Sequence, residues 1–233
     1  MLTKEQLSQY RETGFLIVTD SLLPEDEVSF VADRVDRLYD RWEAQPHRRA
    51  KGPWRKASPP IARLHWLAAI DPVLAHCQLV ETCREIAGMI LGPKRIWCRF
   101  DAAVYKHPGA GSVDLHRDSA KSTLGTPNRS VHFWIPLNNH AATAGTLKFV
   151  PGSHVVGTRF GSDSPDLPEW TAAVGDPLSV GGFSIHTPST MHGSDANCSG
   201  QVRKALVLEF STGASSAGRQ IGLAFASGLL SRY

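Results

Sequence analysis

The chain has 233 residues, a length that suits one large domain, and its 42% hydrophobic and 20% charged residues are ordinary globular usage that excludes wholesale disorder. The net charge of +3 is concentrated in residues 47–56, HRRAKGPWRK, which hold five Lys and Arg and no acid; the remainder is slightly acidic, which speaks against a basic face for nucleic acid. No apolar run approaches the roughly 20 residues of a membrane span, the N-terminus MLTKEQLSQYRETGF is polar, and Cys77, Cys83, Cys98 and Cys198 form no CxxC pair, so a cytoplasmic protein with reduced thiols and no membrane partner is expected.

In chain order, Thr3 can cap a short helix over Lys4 to Arg11, with Gln6 completing a capping box. Gly14 ends it, and Phe15 to Val18 reads as a strand. Pro24 opens a helical pattern to about Ala44, with Val28, Val31, Val35, Leu38 and Trp42 on one face. The basic segment follows, and residues 71–91 again read as helical up to Gly92-Pro93. From Arg95 onward the texture changes. Short apolar or alternating runs (IWCRFDAAVY, SVHFWIPL, GTLKFV, DPLSVGGFSIH, RKALVLEF) are separated by Gly, Pro, Asn and Ser, as in an antiparallel sandwich or barrel. Helices first and a β-core second make an α+β, mainly β order. Residues 213–233 are small and apolar and suit a last helix, and residues 1–233 read as a single domain.

Ten His residues invite a search for metal ligands. His116 and Asp118 form an H-x-D pair, and in extended backbone residues two apart point to one face. Such pairs are common by chance, so a third ligand is needed. His192 lies in TMHGSDANCSG, and eleven positions later Arg203 begins the strand RKALVLEF. Two His and one carboxylate on one face of an octahedron suit Fe(II) that must also hold a chelating cosubstrate and O₂. An inward Arg beside such a site can bind a carboxylate in bidentate fashion, although an Arg at a strand end is by itself more often a surface charge.

These residues carry a resemblance. The chain resembles the phytanoyl-CoA dioxygenase family of Fe(II)/2-oxoglutarate oxygenases over most of its length. The matching blocks, in the family's order, include ETGFLIV, LHRDS, FWIPLNN, GTLKFVPGSH, HGSDANCSG and the Arg203 strand. The resemblance implies a double-stranded β-helix, a cupin-like jelly roll, buttressed by N-terminal helices. It implies His116, Asp118 and His192 as iron ligands, Arg203 and Ser194 as partners of the distal carboxylate of 2-oxoglutarate, and Trp134 as a pocket aromatic. Arg99, Tyr105 and Lys106 are candidate further donors to 2-oxoglutarate. The family's usual H-Q-D is H-R-D here, and the turn before PGSH reads Ala144-Gly145-Thr146. Related halogenases have a small residue at the carboxylate position, so Asp118 favours hydroxylation or a related oxidation (desaturation, ring closure or epoxidation). The implied reaction consumes 2-oxoglutarate and O₂, releases succinate and CO₂, and can draw on ascorbate as reductant.

Other readings stand beside this one. The same three ligands suit a zinc hydrolase, and the same shell suits a non-catalytic small-ligand binding module, but neither accounts for Arg203. His132 shares parity with Trp134 and is a candidate for substrate contact; His186 is a pocket or core residue; His154, ending PGSH, reads as part of a structural turn. The substrate is expected to be a free small molecule, with an apolar part suggested by Trp54, Trp66 and Trp134 and an anionic part by the basic segment. Residues 45–60 read either as a lid or as a solvated loop.

Overall fold

The computed structural model describes residues 1–19, 22–44, 61–92, 95–118, 130–155, 174–175 and 178–212. The segment 45–60 that reads as a lid or a solvated loop, Trp54 within it, and the helix expected over 213–233 lie outside the described residues.

Local chemistry sets the first elements. Helix α1 (Lys4–Thr13) starts with the capping box: Gln6 N–H donates to Thr3 Oγ1 at 3.2 Å, and Thr3 N–H donates to Gln6 Oε1 at 2.9 Å. It ends at Gly14, whose φ of 83° is left-handed, and β1 (Phe15–Val18) follows. Helix α2 (Glu25–Glu43) carries three acids in its first turn, complementing its dipole, and buries Val28, Val31, Val35 and Leu38. Strand β2 (Ile61–His65) was not foreseen, because five residues after a basic, Pro-rich stretch give a weak signal. The expected helix over 71–91 is divided. A short α3 (Leu67–Ile70) and a 3₁₀ turn (Pro72–Ala75) precede α4 (Gln78–Leu91). Asp71 caps the 3₁₀ turn by accepting from Val73 N–H, and Cys77 is extended, so the long helix cannot begin before Gln78. Among the described residues no helix is long and apolar enough to cross a membrane, and all four cysteines are free.

The remaining strands are β3 (Trp97–Lys106), β4 (Val113–His116), β5 (Ser130–Pro136), β6 (Leu147–Phe149), β7 (Val174–Gly175), β8 (Phe183–His186), β9 (His192–Ser194) and β10 (Arg203–Ser211). They form a six-stranded sheet, β1-β8-β5-β10-β3-β2, and a four-stranded sheet, β4-β9-β6-β7. Every pairing among the described residues is antiparallel, and the architecture is the jelly roll with N-terminal helices.

Strand parity divides the large sheet into two faces. Ala103, Tyr105, Phe133, Ile135, Ile185, Leu206 and Leu208 join the main core with residues of α2 and α4. The alternate residues face the small sheet. There Phe15 stacks on Phe149, ring centroids 4.8 Å apart, and links the sheets. The main apolar seal therefore lies on the helix side, and beyond the smaller cluster of Phe15, Leu147 and Phe149 the inward face is left for chemistry.

Gly14 ties the N-terminus to the turns that precede β9. Its carbonyl accepts from Thr187 N–H at 2.9 Å and from Thr190 Oγ1 at 2.7 Å. An added Cβ would lie 2.5 Å from His154 Nδ1 and 2.7 Å from Thr190 Oγ1. The positive φ and the overpacking together predict that Gly14→Ala costs about 2–4 kcal/mol. Gly88, inside α4, has nothing within 4 Å of an added Cβ, so Gly88→Ala should stabilise by about 0.5–1 kcal/mol. Urea unfolding midpoints check both, and a neutral Gly14→Ala would contradict the packing described.

Candidate metal centre

The small sheet brings three expected ligands together. His116 ends β4, Asp118 follows two residues on, and His192 opens β9. In the β4–β9 pairing His116 lies opposite His192, with ring centroids 4.4 Å apart. Gly193 permits this approach, since a Cβ there would lie 2.6 Å from the Val113 carbonyl and 3.1 Å from that of Asp114.

Asp118 Oδ1 lies 3.8 Å from His116 Nε2 and 3.6 Å from His192 Nε2, and one donor atom from each residue falls within 4.8 Å of the others. The far ring nitrogens are committed. His116 Nδ1 donates to the Asp114 carbonyl at 2.8 Å, and His192 Nδ1 donates to the Thr190 carbonyl at 3.0 Å. Each ring therefore has Nδ1 committed to a carbonyl and presents Nε2 to the site. Burial, reinforced by His186, pushes His192 down to about 3, which keeps it neutral. Desolvation opposes ionisation of Asp118, but hydrogen bonds from His132 and His186 outweigh it and hold the carboxyl far below the usual range. Two imidazoles that present Nε2 and one carboxylate are a donor set that fits a divalent transition metal.

Two further histidines reach the same carboxylate from the large sheet. His132 Nδ1 lies 2.7 Å and His186 Nε2 3.1 Å from Asp118 Oδ2. On its other side His132 Nε2 is 3.8 Å from Glu209 Oε1, and Arg99 Nη1 is 3.2 Å from that oxygen. Burial would lower the His132 pKa, yet its two carboxylate neighbours raise it to about 9.

Arg203, the first residue of β10, is buried with its guanidinium 4.7 Å over the Trp134 ring, and its Nη1 donates to the Gly145 carbonyl. Gly145 has a φ of 92°, and a Cβ there would lie 2.6 Å from the Asp195 carbonyl, so this turn requires glycine. Lys106 is fully buried and donates to Ser194 Oγ at 2.9 Å and to the Asp195 carbonyl. Burial, then the charge of Arg203, lowers Lys106 to about 8. Asn197 holds the surrounding turn by donating to the carbonyls of Lys106 and Gln201 at 2.7 and 2.8 Å.

Other expected residues lie elsewhere. Tyr105 is one residue out of phase. Its hydroxyl donates to Asp36 at 2.7 Å and its ring stacks on Tyr39, so it faces the helices and not the cleft. Arg99 is half exposed and meets the centre through Glu209. Trp66 lines a separate cleft of about 480 Å³ on the helix side of the large sheet. His154 Nε2 donates to the Arg11 carbonyl at 3.1 Å, as part of its turn. Arg117, between the H-x-D ligands, donates to the carbonyls of Ser153 and Ser189, and so ties β4 to the segments around β9. The metal donors, Trp134, Ser194 and Arg203 line one cleft of about 280 Å³. Glu209 and Arg63 line it too and were missed by sequence reasoning. Glu209 shares the parity of Arg203 and interrupts the apolar run from Ala205 to Phe210, which is a signal; Arg63 lies on the unforeseen β2 and had none.

Comparison with known proteins agrees with this geometry. Residues 10–205 match the family described as Phytanoyl-CoA dioxygenase (PhyH). Dioxygenase hkm4 of Aspergillus hancockii is 28% identical over 218 residues, which cover 87% of this chain and 69% of that protein. EvdO2 from Micromonospora carbonacea var. aurantiaca, solved with 2-oxoglutarate, superposes with a TM-score of 0.71 at 24% identity, covering 91% of this chain and 92% of that one. Two enzymes of nogalamycin biosynthesis share the fold. The α-ketoglutarate-dependent carbocyclase SnoK has a TM-score of 0.73 at 20% identity, covering 94% and 90% of the two chains. The epimerase SnoN, solved with Fe³⁺, α-ketoglutarate and nogalamycin RO, has a TM-score of 0.70 at 18% identity, covering 89% and 82%. With the family match spanning both halves of the metal-donor set and reaching the start of β10, the chain belongs to the phytanoyl-CoA dioxygenase family of Fe(II)/2-oxoglutarate-dependent oxygenases.

Proposed function

We propose that residues 1–233 form one cytoplasmic catalytic domain that hydroxylates a small-molecule biosynthetic intermediate bearing an anionic group. One observation carries this reading: His116, Asp118 and His192 converge in the same cleft that presents Ser194 and Arg203. When bound there, Fe(II) with 2-oxoglutarate and O₂ supplies the oxidising power, releasing succinate and CO₂, with ascorbate serving as reductant.

The chain's own residues bind and orient. The Lys106 ammonium donates to Ser194 Oγ, which leaves the hydroxyl proton to be donated to a carboxylate. Arg203 is oriented by Trp134 and Gly145. Two adjacent buried cations favour a dianionic cosubstrate, since its far carboxylate gives them a counter-charge. Leu147, Val207 and Trp134 supply apolar wall in this cleft, which limits water near the bound carbon chain. Arg63 adds a guanidinium to the same lining from β2 and supports an anionic group on the substrate, as does the basic segment 47–56. Asp118 supports hydroxylation, because a carboxylate at this position occupies the place a halide would need. SnoK and SnoN show that this fold also serves ring closure and epimerisation.

Incubation with Fe(II), 2-oxoglutarate, ascorbate and candidate metabolites should give substrate-stimulated succinate. His116→Ala, Asp118→Ala and His192→Ala should each abolish it and lose tight Fe(II) binding in titrations, because three donors leave no reserve. Full turnover in any of the three would end the assignment. Arg203→Ala should spare metal binding and weaken 2-oxoglutarate by about 2–5 kcal/mol, roughly 30-fold or more, with Arg203→Lys restoring only part. Lys106 is a cation below about pH 8 and neutral above it, so 2-oxoglutarate affinity should fall as pH rises through about 8. A flat affinity profile from pH 7 to 9 would remove Lys106 from this role.

A further inference from the structure

We propose that His132 and His186 clamp Oδ2 of Asp118 so that the carboxylate offers the metal Oδ1 alone, and that Glu209, anchored by Arg99, fixes His132 in that position. The inference rests on reading Asp118 as a metal ligand.

The two carboxylate oxygens have different surroundings. Oδ1 is the atom near Nε2 of His116 and His192, at 3.8 and 3.6 Å. Oδ2 is the atom near His132 and His186, at 2.7 and 3.1 Å. An unrestrained carboxylate can chelate through both oxygens and take a further coordination position. Chemistry that needs two positions for a 2-oxo acid and one for O₂ cannot lose one. Two N–H donors on Oδ2 prevent that by occupying its lone pairs.

The clamp is built on strands. His186, His132 and Glu209 are cross-strand neighbours on β8, β5 and β10, so they stand in one row on the inward face of the large sheet. Asp118 lies beyond the end of β4 and belongs to no strand. The row therefore supplies a rigid reference for a ligand that its own backbone fixes less firmly. Glu209 is held in turn by Arg99 at 3.2 Å.

Asp118, His132 and His186 also form a second three-donor set that could hold another metal ion. The surroundings of His132 favour the clamp. Its Nδ1 is at hydrogen-bond distance from Asp118 and its Nε2 faces Glu209 at 3.8 Å, so the ring lies between two carboxylates and is oriented along that line.

The test uses the full chain, titrated anaerobically with Fe(II) and separately with Co(II), whose d–d absorption reports coordination number. Wild type should bind one metal per chain. His132→Leu should bind both ions about 10–100-fold more weakly and shift the Co(II) spectrum toward higher coordination. His132→Gln, which keeps an N–H donor, should recover most of the affinity, and the isosteric Glu209→Gln should show a smaller loss in the same direction. Melting temperatures are read in parallel. Unchanged affinity and spectrum in His132→Leu, with or without a lower melting temperature, would overturn the clamp. Two metals in wild type with one lost in His132→Leu would overturn it in favour of a second metal site. His116→Ala separates the levels: if it keeps full affinity, the metal-centre reading itself fails; if it loses the metal while His132→Leu does not, only the clamp fails.

Discussion

The Asp118 carboxylate is the point on which the two sheets agree. It meets His116 and His192 from the small sheet and His132 and His186 from the large one. Any change that separates the sheets separates these groups. A single acid among four imidazoles needs its charge, and each imidazole needs a defined tautomer. The structure supplies the latter through the Asp114 and Thr190 carbonyls for two of the rings.

The large sheet makes this possible by dividing its work between faces. The helix-side residues bury apolar surface against α2 and α4, which stabilises the sheet without drawing on inward positions. The inward face can then carry Arg203, Trp134, His132, His186 and Glu209, a set of polar and charged groups that would be costly in a core. Polar partners on the small sheet, together with Ser194 and the buried Lys106, offset that cost. Small residues at Gly193 and Gly145 let backbones pass close enough for these partners to meet.

Much of this was legible before the structure. The capping box at Thr3, the strand at Phe15 and the α2 face follow from local chemistry, which sequence reports directly. The H-x-D pair, His192 and Arg203 stand at fixed places relative to strand starts, and the resemblance put them in order. The failures lie in parity, placement and pairing register. Tyr105 was a candidate and Lys106 beside it proved to be the one near Ser194, because a one-residue change of parity moves a side chain to the opposite face. Trp66 was expected near substrate, but it precedes α3 and turns toward the other cleft. Glu209 and Arg63 act across strands, and pairing register is a tertiary fact that a single sequence does not print.

The most direct measurement is a crystal structure of the full chain with Fe(II) and 2-oxoglutarate grown without oxygen, with anomalous data collected at the iron edge. The expected result is one iron bound by His116, His192 and a single oxygen of Asp118, with the distal carboxylate of 2-oxoglutarate at Arg203 and Ser194. Iron seated among His132 and His186, or 2-oxoglutarate bound away from Arg203, would contradict it.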